Sequence, residues 1–211
     1  MNEGISDTPF PSAKASAKLT RRLRFLLEAD KLRLIERQTY IGDNSRRENS
    51  AEHSWHLALS LLLFSDAAHA ANVNLERAIQ IALVHDLVEI YAGDTFVYAD
   101  AALQLSRIES ERAAAERLFG MLDEELGAEF RAIWEEYEFK TSPEARFVGV
   151  FDRLCPMLLN FTTHGHAWRA NGVSVAQVRE RSLPDLESIP ELHAWTDEML
   201  NEAVELGFLK P

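Results

Sequence analysis

Three short stretches of the sequence carry side chains that could bind a metal or move a proton. The stretch "VHDLVE" places His85 and Asp86 side by side, with Glu89 four positions after the histidine, inside an apolar run. The stretches "EHSWH" and "FDRL" supply His53 and Asp152, each again among apolar residues. An unpaired charge buried in such surroundings costs several kcal/mol, roughly, unless it is paired or coordinates a metal. The pattern therefore indicates a shared cation.

The chemistry of these side chains narrows the choice of metal. Two imidazoles and two carboxylates form a mixed nitrogen and oxygen set, which suits Mn, Fe, Co, Ni or Zn better than Ca or Mg. A single metal held from one side keeps positions open for water and a substrate oxygen, the arrangement of metal-assisted hydrolysis. Each residue alone could also be structural, since a helical histidine beside a carboxylate is more often part of a structural pair than a metal ligand. Spacing alone leaves both interpretations open.

The elements that must position these residues are predicted to be helices. Apolar residues recur at helical spacing over residues 18–37, with a possible break. Asn49-Ser50 with Glu52 resembles a helix cap, and Asn74 can cap a helix that ends at Gly93. Further helices are expected over 106–126, 128–138, 143–162, 174–182 and 186–206, with loops at 37–48, 93–105, 139–142 and 163–173. Strand signals are almost absent, so we expect an all-α fold in a single domain.

Length and composition bound the class of protein. The 211 residues are 46% hydrophobic and 27% charged, values that are ordinary for a globular chain. No apolar stretch approaches the roughly 20 residues that span a bilayer, so no membrane partner is expected. Residues 1–18 lack the apolar segment of a signal peptide and are predicted to be a flexible leader. The single cysteine, Cys155, excludes an internal disulfide and indicates a soluble protein of the cytoplasm.

Charge is spread unevenly along the chain. The formal net charge of −12 argues against binding to nucleic acid polymers, which needs a basic surface. From Lys14 to Arg47, however, ten Lys and Arg residues stand against four Asp and Glu residues. Such a stretch is usually a solvated helix face, but it could also receive a small phosphorylated substrate.

At this point the residues resemble a known family. His53, His85-Asp86 and Asp152 match, in order, the H…HD…D pattern of the HD-domain metal-dependent phosphohydrolases. The flanking stretches "RRENSAEHSWHLAL", "ALVHDLVEIYAGDT" and "SPEARFVGVFDRL" are similar to the subgroup that contains the bacterial 5′-deoxynucleotidase. The similarity covers roughly residues 20–165. It implies a helical HD-domain bundle over residues 19–211, with divergent C-terminal helices.

The resemblance also implies roles for individual residues. It makes His53, His85, Asp86 and Asp152 the ligands of one divalent transition metal ion. Glu89 matches a glutamate implicated in catalysis, and we expect it to orient or deprotonate the attacking water.

Three further residues match substrate contacts of the subgroup. Arg37 matches an arginine that meets the substrate phosphate, for which its planar fork is suited. Asp94 matches a residue that contacts the nucleotide sugar. Gln38 stands where the deoxynucleotidases have a tryptophan against the sugar, which puts the preference for deoxyribose in question. The resemblance further implies a homodimer.

Three functions follow as hypotheses. The first is a metal-dependent phosphomonoesterase that acts on nucleoside or deoxynucleoside 5′-monophosphates through a metal-activated water. The second is an HD hydrolase of another phosphorylated small molecule, such as a nucleoside triphosphate or an alarmone, which usually needs a larger basic pocket than an acidic chain offers. The third is a non-catalytic metal-binding helical module.

Overall fold

The computed structural model describes residues 10–11, 13–96, 98 and 101–211, without the side chains of residues 101–105. The first half of this chain forms α1 (Ala17–Ala29), a 3₁₀ turn (Asp30–Leu34), β1 (Glu36–Tyr40), β2 (Arg47–Asn49), α2 (Ser50–Leu63), α3 (Ser65–Ala70), α4 (Leu75–Val84) and α5 (Glu89–Ala92). The second half forms α6 (Ala101–Phe119), α7 (Glu124–Glu138), α8 (Pro143–Thr162), α9 (His166–Ala170), α10 (Val175–Leu186) and α11 (Pro190–Glu205). The prediction of a mainly helical fold is confirmed.

No helix in the described ranges is both long and apolar enough to cross a bilayer. Most of the predicted leader, residues 1–18, lies outside the described residues, and its boundary stays a prediction. Within the described part, α1 begins at Ala17, where the Ser16 side chain accepts a hydrogen bond from the Leu19 amide.

Helix α8 forms the centre of the core. It contacts α2, α4 and α10, and it buries a continuous apolar face. Ser142 caps its first turn and Pro143 occupies the position where a missing amide hydrogen costs nothing. The predicted bounds, 143–162, are confirmed. Because Asp152 lies in the middle of this helix, its carboxylate is carried by an element with many buried residues.

Local caps explain why α2 and α4 begin where they do. The Asn49 side chain accepts from the Glu52 amide while the Glu52 carboxylate accepts from the Asn49 amide, the reciprocal pair predicted from the sequence. The Asn74 side chain accepts from the Arg77 amide. Both predicted caps are confirmed, and the first one fixes the helix that carries His53.

Boundaries of the later helices differ from the prediction. The expected helices 106–126 and 128–138 are observed as α6, which ends at Phe119, and α7, which begins at Glu124. Asp123 supplies the physical reason, since its side chain accepts from the Leu126 amide and starts α7 four residues early. The helices expected over 174–182 and 186–206 are observed as α10 and α11.

The prediction of a loop over residues 37–48 without strands was wrong. Strands β1 and β2 pair in an antiparallel ladder in which Glu36 faces Asn49 and Tyr40 faces Arg47. The sequence "ERQTY" has little β character by itself, but β1 packs against α8 and α9. Strand propensity depends strongly on such contacts. The hairpin brings Arg37 and Gln38 toward α8.

The single helix expected from Asn74 to Gly93 is also wrong, because it is broken at residues 85–88. There the amides of Leu87 and Glu89 donate to carbonyls three residues back, those of Val84 and Asp86, instead of four. This 3₁₀ pattern tightens the backbone and separates α4 from α5. Gly93, with φ +77°, ends α5 as predicted. His85 and Asp86 therefore lie on a turn between two helices.

Part of the loop expected over 163–173 is the short helix α9. It begins after Gly165, whose φ is +70°. A Cβ placed on Gly165 would lie 1.9 Å from the Phe208 carbonyl oxygen, so only glycine fits against this backbone.

Replacement of Gly165 by alanine should lower the free energy of unfolding by about 3 kcal/mol or more, because backbone strain and a direct clash add together. Gly172→Ala is the matched control: Gly172 has φ +63°, but a Cβ there meets nothing within 4 Å. The control should lose only about 1 kcal/mol. Urea titrations followed by circular dichroism measure both, and equal losses would contradict the clash.

Candidate metal centre and pocket

Three of the predicted metal ligands form one cluster. One ligand atom from each of His53, His85 and Asp152 lies within 4.8 Å of the other two. They come from α2, the turn after α4, and α8, three elements that contact one another. Asp86 lies beside them, with its Oδ1 3.1 Å from His85 Nε2 and its Oδ2 4.0 Å from His53 Nε2. Tertiary packing thus brings together residues that are far apart in the sequence.

The hydrogen bonding of His85 shows that this cluster fits a metal ion. Its Nδ1 lies 2.9 Å from the Ala82 carbonyl oxygen, which can only accept, so Nδ1 carries the proton and Nε2 keeps a lone pair. Nε2 is buried and has no hydrogen-bond partner, yet it lies 3.1 Å from Asp86 Oδ1. Two ligands about 2.1 Å from one metal and at right angles are roughly 3.0 Å apart. The two lone pairs are therefore spaced to share a divalent cation.

The surroundings of His53 keep its imidazole ring uncharged, which is the form that binds a metal. Complete burial, and then the positive charge of Arg37, lower the pKa of His53 to about 4, so the ring is uncharged at pH 7. Its Nε2 lies 3.0 Å from Asp152 Oδ1. On the other side of the ring, Nδ1 has no hydrogen-bond partner and lies 3.8 Å from Glu48 Oε2. A buried carboxylate, that of Glu48, therefore lies behind the ring.

Two donors hold the carboxylate of Asp152 in its charged form. The Tyr137 hydroxyl donates to Oδ2 over 2.5 Å, and the Arg153 guanidinium donates to the same oxygen over 3.0 Å. Burial alone would raise the pKa of Asp152, but Arg153 and His53 outweigh it and hold the pKa well below its ordinary range. Oδ1 is left facing His53 and the cluster.

Glu89, the predicted catalytic residue, lies buried at the wall of the same pocket. Its Oε2 accepts a hydrogen bond of 2.6 Å from the hydroxyl of Ser50, the first residue of α2. Burial, and then the neighbouring charge of Asp86, raise the pKa of Glu89 well above its ordinary value. A carboxylate whose pKa is raised accepts a proton more readily than an ordinary glutamate does.

Arg37 meets the cluster from strand β1. Its guanidinium donates to Asp86 Oδ2 over 3.0 Å, and its Nε lies 3.5 Å from Glu48 Oε2. Burial lowers the pKa of Arg37, but Asp86, Glu89 and other nearby carboxylates raise it by more, so the side chain stays charged. The arginine predicted to bind phosphate therefore lies at the metal end of the pocket.

The predicted residues share one cavity of about 220 Å³. All of them except the fully buried His53 line it: Arg37, Gln38, His85, Asp86, Glu89, Asp94 and Asp152. Asp94 follows the turn at Gly93, and its burial raises the pKa of its carboxyl group. The structure therefore gathers the proposed metal, catalytic and substrate residues at one place.

The cavity also contains residues that the sequence analysis missed. Four basic side chains line it, namely Arg107, Lys140, Arg153 and Arg181, and an aromatic one, Trp168, joins from α9. The basic stretch Lys14–Arg47 contributes only Arg37 to this lining. An acidic chain was expected to offer no large set of basic residues to a phosphorylated substrate, and the lining of this pocket shows that this expectation was wrong. No local pattern marks these residues, since each comes from a different element.

Comparison with known proteins identifies the family. Residues 29–193 match the HD domain family. The chain belongs to that family.

Among curated relatives, the chain is 32% identical to the 5′-deoxynucleotidase HDDC2 of Danio rerio over 133 residues, which are 63% of this chain and 64% of the relative. It is 32% identical to the Bos taurus protein of the same name over 151 residues, 71% of each chain. It is also 31% identical to the 5′-deoxynucleotidase of Erwinia tasmaniensis over 140 residues, 64% of this chain and 70% of that one. The matches thus span about two thirds of the length of these relatives.

Solved structures agree on the fold. A predicted metal-dependent phosphohydrolase from Magnetospirillum magnetotacticum superposes with a TM-score of 0.86 at 43% identity, covering 92% of this chain and 97% of that one. The PH0347 protein of Pyrococcus horikoshii has a TM-score of 0.59 at 22% identity, covering 87% and 99%. At this low identity, the second match shows a shared fold and nothing more.

Substitution of His53 by asparagine should lower the affinity for Mn²⁺ by at least about 100-fold, because a metal ligand is lost. His56→Asn is the matched control, since His56 lies on the same helix three residues later and outside the cluster. Equilibrium dialysis with elemental analysis gives the metal content of both variants, and circular dichroism checks that both are folded. Equal metal binding by the two variants would contradict the assignment.

Proposed function

We propose that the protein is a metal-dependent phosphohydrolase that releases phosphate from nucleoside or deoxynucleoside 5′-monophosphates. The observation that carries the proposal is the pairing of His85 Nε2, a buried nitrogen without a hydrogen-bond partner, with the half-buried Asp86 Oδ1, beside a pocket lined by Arg37 and Glu89. Family membership and relatives named 5′-deoxynucleotidase support the same reaction.

The ligands we propose are His53, His85, Asp86 and Asp152, and the mixed nitrogen and oxygen set favours Mn, Co, Fe, Ni or Zn. A divalent metal bound there lowers the pKa of a water molecule and offsets the charge that develops on the phosphoryl group.

The remaining residues position the substrate and transfer the proton of the attacking water. Glu89 accepts the proton of the attacking water at its carboxylate, while Ser50 holds that carboxylate in place. Arg37 offers a permanently charged planar group to the phosphate. Asp94 lies at the pocket wall, where its carboxylate can accept a hydrogen bond from a sugar hydroxyl. Gln38 lines the same wall, so an amide takes the place of an aromatic ring beside the sugar.

The test measures phosphate release from dAMP, AMP and the corresponding di- and triphosphates, with metal-stripped protein and added Mn²⁺, Co²⁺ or Zn²⁺. Release from monophosphates only when metal is added supports the proposal. The ratio of kcat/KM for dAMP to that for AMP measures what Gln38 contributes. Release from triphosphates but not monophosphates would move the assignment to a different phosphohydrolase.

Glu89→Gln should lower kcat by about 10²–10⁴-fold, because the amide cannot accept the proton. Metal content and the melting temperature should stay close to those of the parent protein. The control is Glu136→Gln, the same change at a partly buried glutamate that holds Arg77 outside the pocket. Full activity in Glu89→Gln would remove Glu89 from the reaction and favour a non-catalytic helical module.

We further propose that two copies of the chain associate through exposed leucine faces. Helix α2 presents Trp55, Leu59, Leu62 and Leu63 to solvent at helical spacing, with exposures from 37% to 70%. Helix α1 presents Leu19, Leu23, Leu26 and Leu27 in the same pattern. Contiguous apolar surface of this kind marks interaction sites in folded proteins.

Light scattering should therefore give the mass of a dimer for the parent protein and of a monomer for Leu63→Glu. Leu206→Glu places the same charge on a leucine of similar exposure after α11 and should remain dimeric. A monomeric parent protein would contradict the association.

The single cysteine, Cys155, bears on the cellular compartment in which the protein works. Cys155 is buried, and burial raises its pKa to about 12, so it stays an unreactive thiol and needs no oxidising compartment. We infer that the protein works in the cytoplasm, and its recovery in a secreted fraction of the cells would contradict this.

A further inference from the structure

The proposed substrate is an anion that has to enter a protein of net charge −12. A phosphate monoester carries about two negative charges near neutral pH, so the overall charge of the protein repels it. Positive charge at the entrance of a cavity offsets such repulsion and raises the rate of association. The accessibility of each basic residue that lines the cavity therefore decides whether its charge meets the incoming substrate.

Four of the basic residues that line the cavity are paired or enclosed. Three of them donate hydrogen bonds to carboxylates, namely Arg37, Arg107 and Arg153. The fourth is Lys140, whose Nζ is inaccessible to solvent and lies 3.2 Å from the centroid of the Tyr137 ring. The charges of these four residues are already compensated or shielded within the protein.

Arg181 differs from these four residues. It lies on α10, it is exposed, and it lines the same cavity. In the described part of the chain, no carboxylate forms an ion pair with it. A residue that is both exposed and part of the lining lies where the cavity opens to solvent. Arg181 therefore offers an unpaired positive charge at the mouth of the cavity.

The charges that act on Arg181 show that its guanidinium lies toward the cavity. Partial burial, and then the like charge of Arg153, lower the pKa of Arg181; Asp152 and Tyr98 oppose this effect, and Arg107 adds to it. All four of these neighbours line the cavity. The guanidinium therefore faces the interior of the cavity, where the two other arginines repel it and an anion would be stabilised.

Helix α10 fixes the backbone of Arg181. The Ser174 side chain caps its first turn by accepting from the Gln177 amide. Val178 and Ser182, on either side of Arg181 in the sequence, are buried, and the helix packs against α8. Because the backbone is held in this way, only the side chain of Arg181 has to move when it meets an anion.

We propose that Arg181 captures the phosphate of an incoming nucleotide at the mouth of the cavity, before the phosphate reaches Arg37 at the metal end. This rests on the proposed function and deepens it. The charge of Arg181 speeds association and takes no part in the step that breaks the phosphate ester.

The experiment measures association and dissociation rate constants by stopped flow. The protein is Mn²⁺-loaded Glu89→Gln, and the probe is 2-aminopurine deoxyriboside 5′-monophosphate, a fluorescent nucleotide. At about 0.01 M salt, where the Debye length is about 30 Å, adding Arg181→Glu should lower the association rate constant about tenfold or more. At about 1 M salt the difference should fall below about twofold, because the charges are screened. The dissociation rate constant should change by less than about twofold at both salt concentrations, since a charge at the entrance acts mainly on association.

Further variants separate the effect of charge from those of shape and net charge. Arg181→Lys keeps the charge and should keep the association rate constant within about twofold, whereas Arg181→Gln should give a value between those of the parent and Arg181→Glu. Arg112→Glu is the charge-matched control, since Arg112 is exposed on α6 and does not line the cavity. Equal losses in Arg112→Glu and Arg181→Glu would mean that net charge alone matters, which overturns the capture. Equal losses in Arg181→Lys and Arg181→Gln would overturn it as well.

Steady-state kinetics and binding distinguish this proposal from the proposed reaction. In the dAMP assay at low salt, Arg181→Glu should raise KM while kcat stays within about twofold of the parent value. Nucleotide binding without hydrolysis, slowed by Arg181→Glu, supports the capture even though the reaction fails. Hydrolysis with an unchanged association rate constant overturns the capture and leaves the reaction in place. A change confined to dissociation would make Arg181 a contact of the bound nucleotide and overturn the capture. A parent protein that binds neither the nucleotide nor inorganic phosphate overturns both proposals.

Discussion

The arrangement of the site depends on the contacts of one buried carboxylate, that of Asp152. It receives hydrogen bonds from Tyr137 on α7 and from Arg153 on α8, and it faces His53 on α2. An ionised carboxylate inside a helical core is costly unless such partners compensate it. The same bonds that keep Asp152 charged therefore fix the relative positions of three helices. Because the Lys140 ammonium lies over the Tyr137 ring, the contacts of Asp152 extend to a further basic residue that lines the cavity.

Charges of both signs surround this contact within the cavity. Near the cluster, carboxylates and imidazoles face one another, and two cations approach them: Arg37 at Asp86 and Arg153 at Asp152. Lys140 and Arg181 also line the cavity; neither forms an ion pair with a carboxylate among the described residues, but the negative charge of Asp152 acts on both. An acidic protein thus places five basic side chains and six carboxylates around one cavity, while its overall charge repels polyanions. The sign of the net charge is therefore a poor guide to what the cavity binds.

The features that the sequence predicts correctly are those that local interactions determine. The caps at Asn49, Asn74 and Ser142 involve residues three or fewer positions apart, so the starts of α2, α4 and α8 follow from short patterns. The order of histidines and aspartates likewise indicates a metal site, because apolar flanks require compensation for each charge. Where tertiary contacts decide, prediction fails. The break at residues 85–88 and the pairing of β1 with β2 carry no strong local signal.

Several residues that line the cavity are placed by tertiary contacts, and this has a physical consequence. The cluster takes His53 and Asp152 from α2 and α8, whose starts have strong local signals, whereas β1, α9 and α10, which also line the cavity, depend on packing for their places. Trp168, for example, reaches the cavity because α9 begins at Gly165, where only glycine tolerates the contact with Phe208. Changes in such peripheral elements can alter the shape and charge of the wall without moving Asp152 or its donors. The reaction and the choice of substrate therefore rest on different parts of the fold, and the choice of substrate rests on the parts that local sequence patterns describe least.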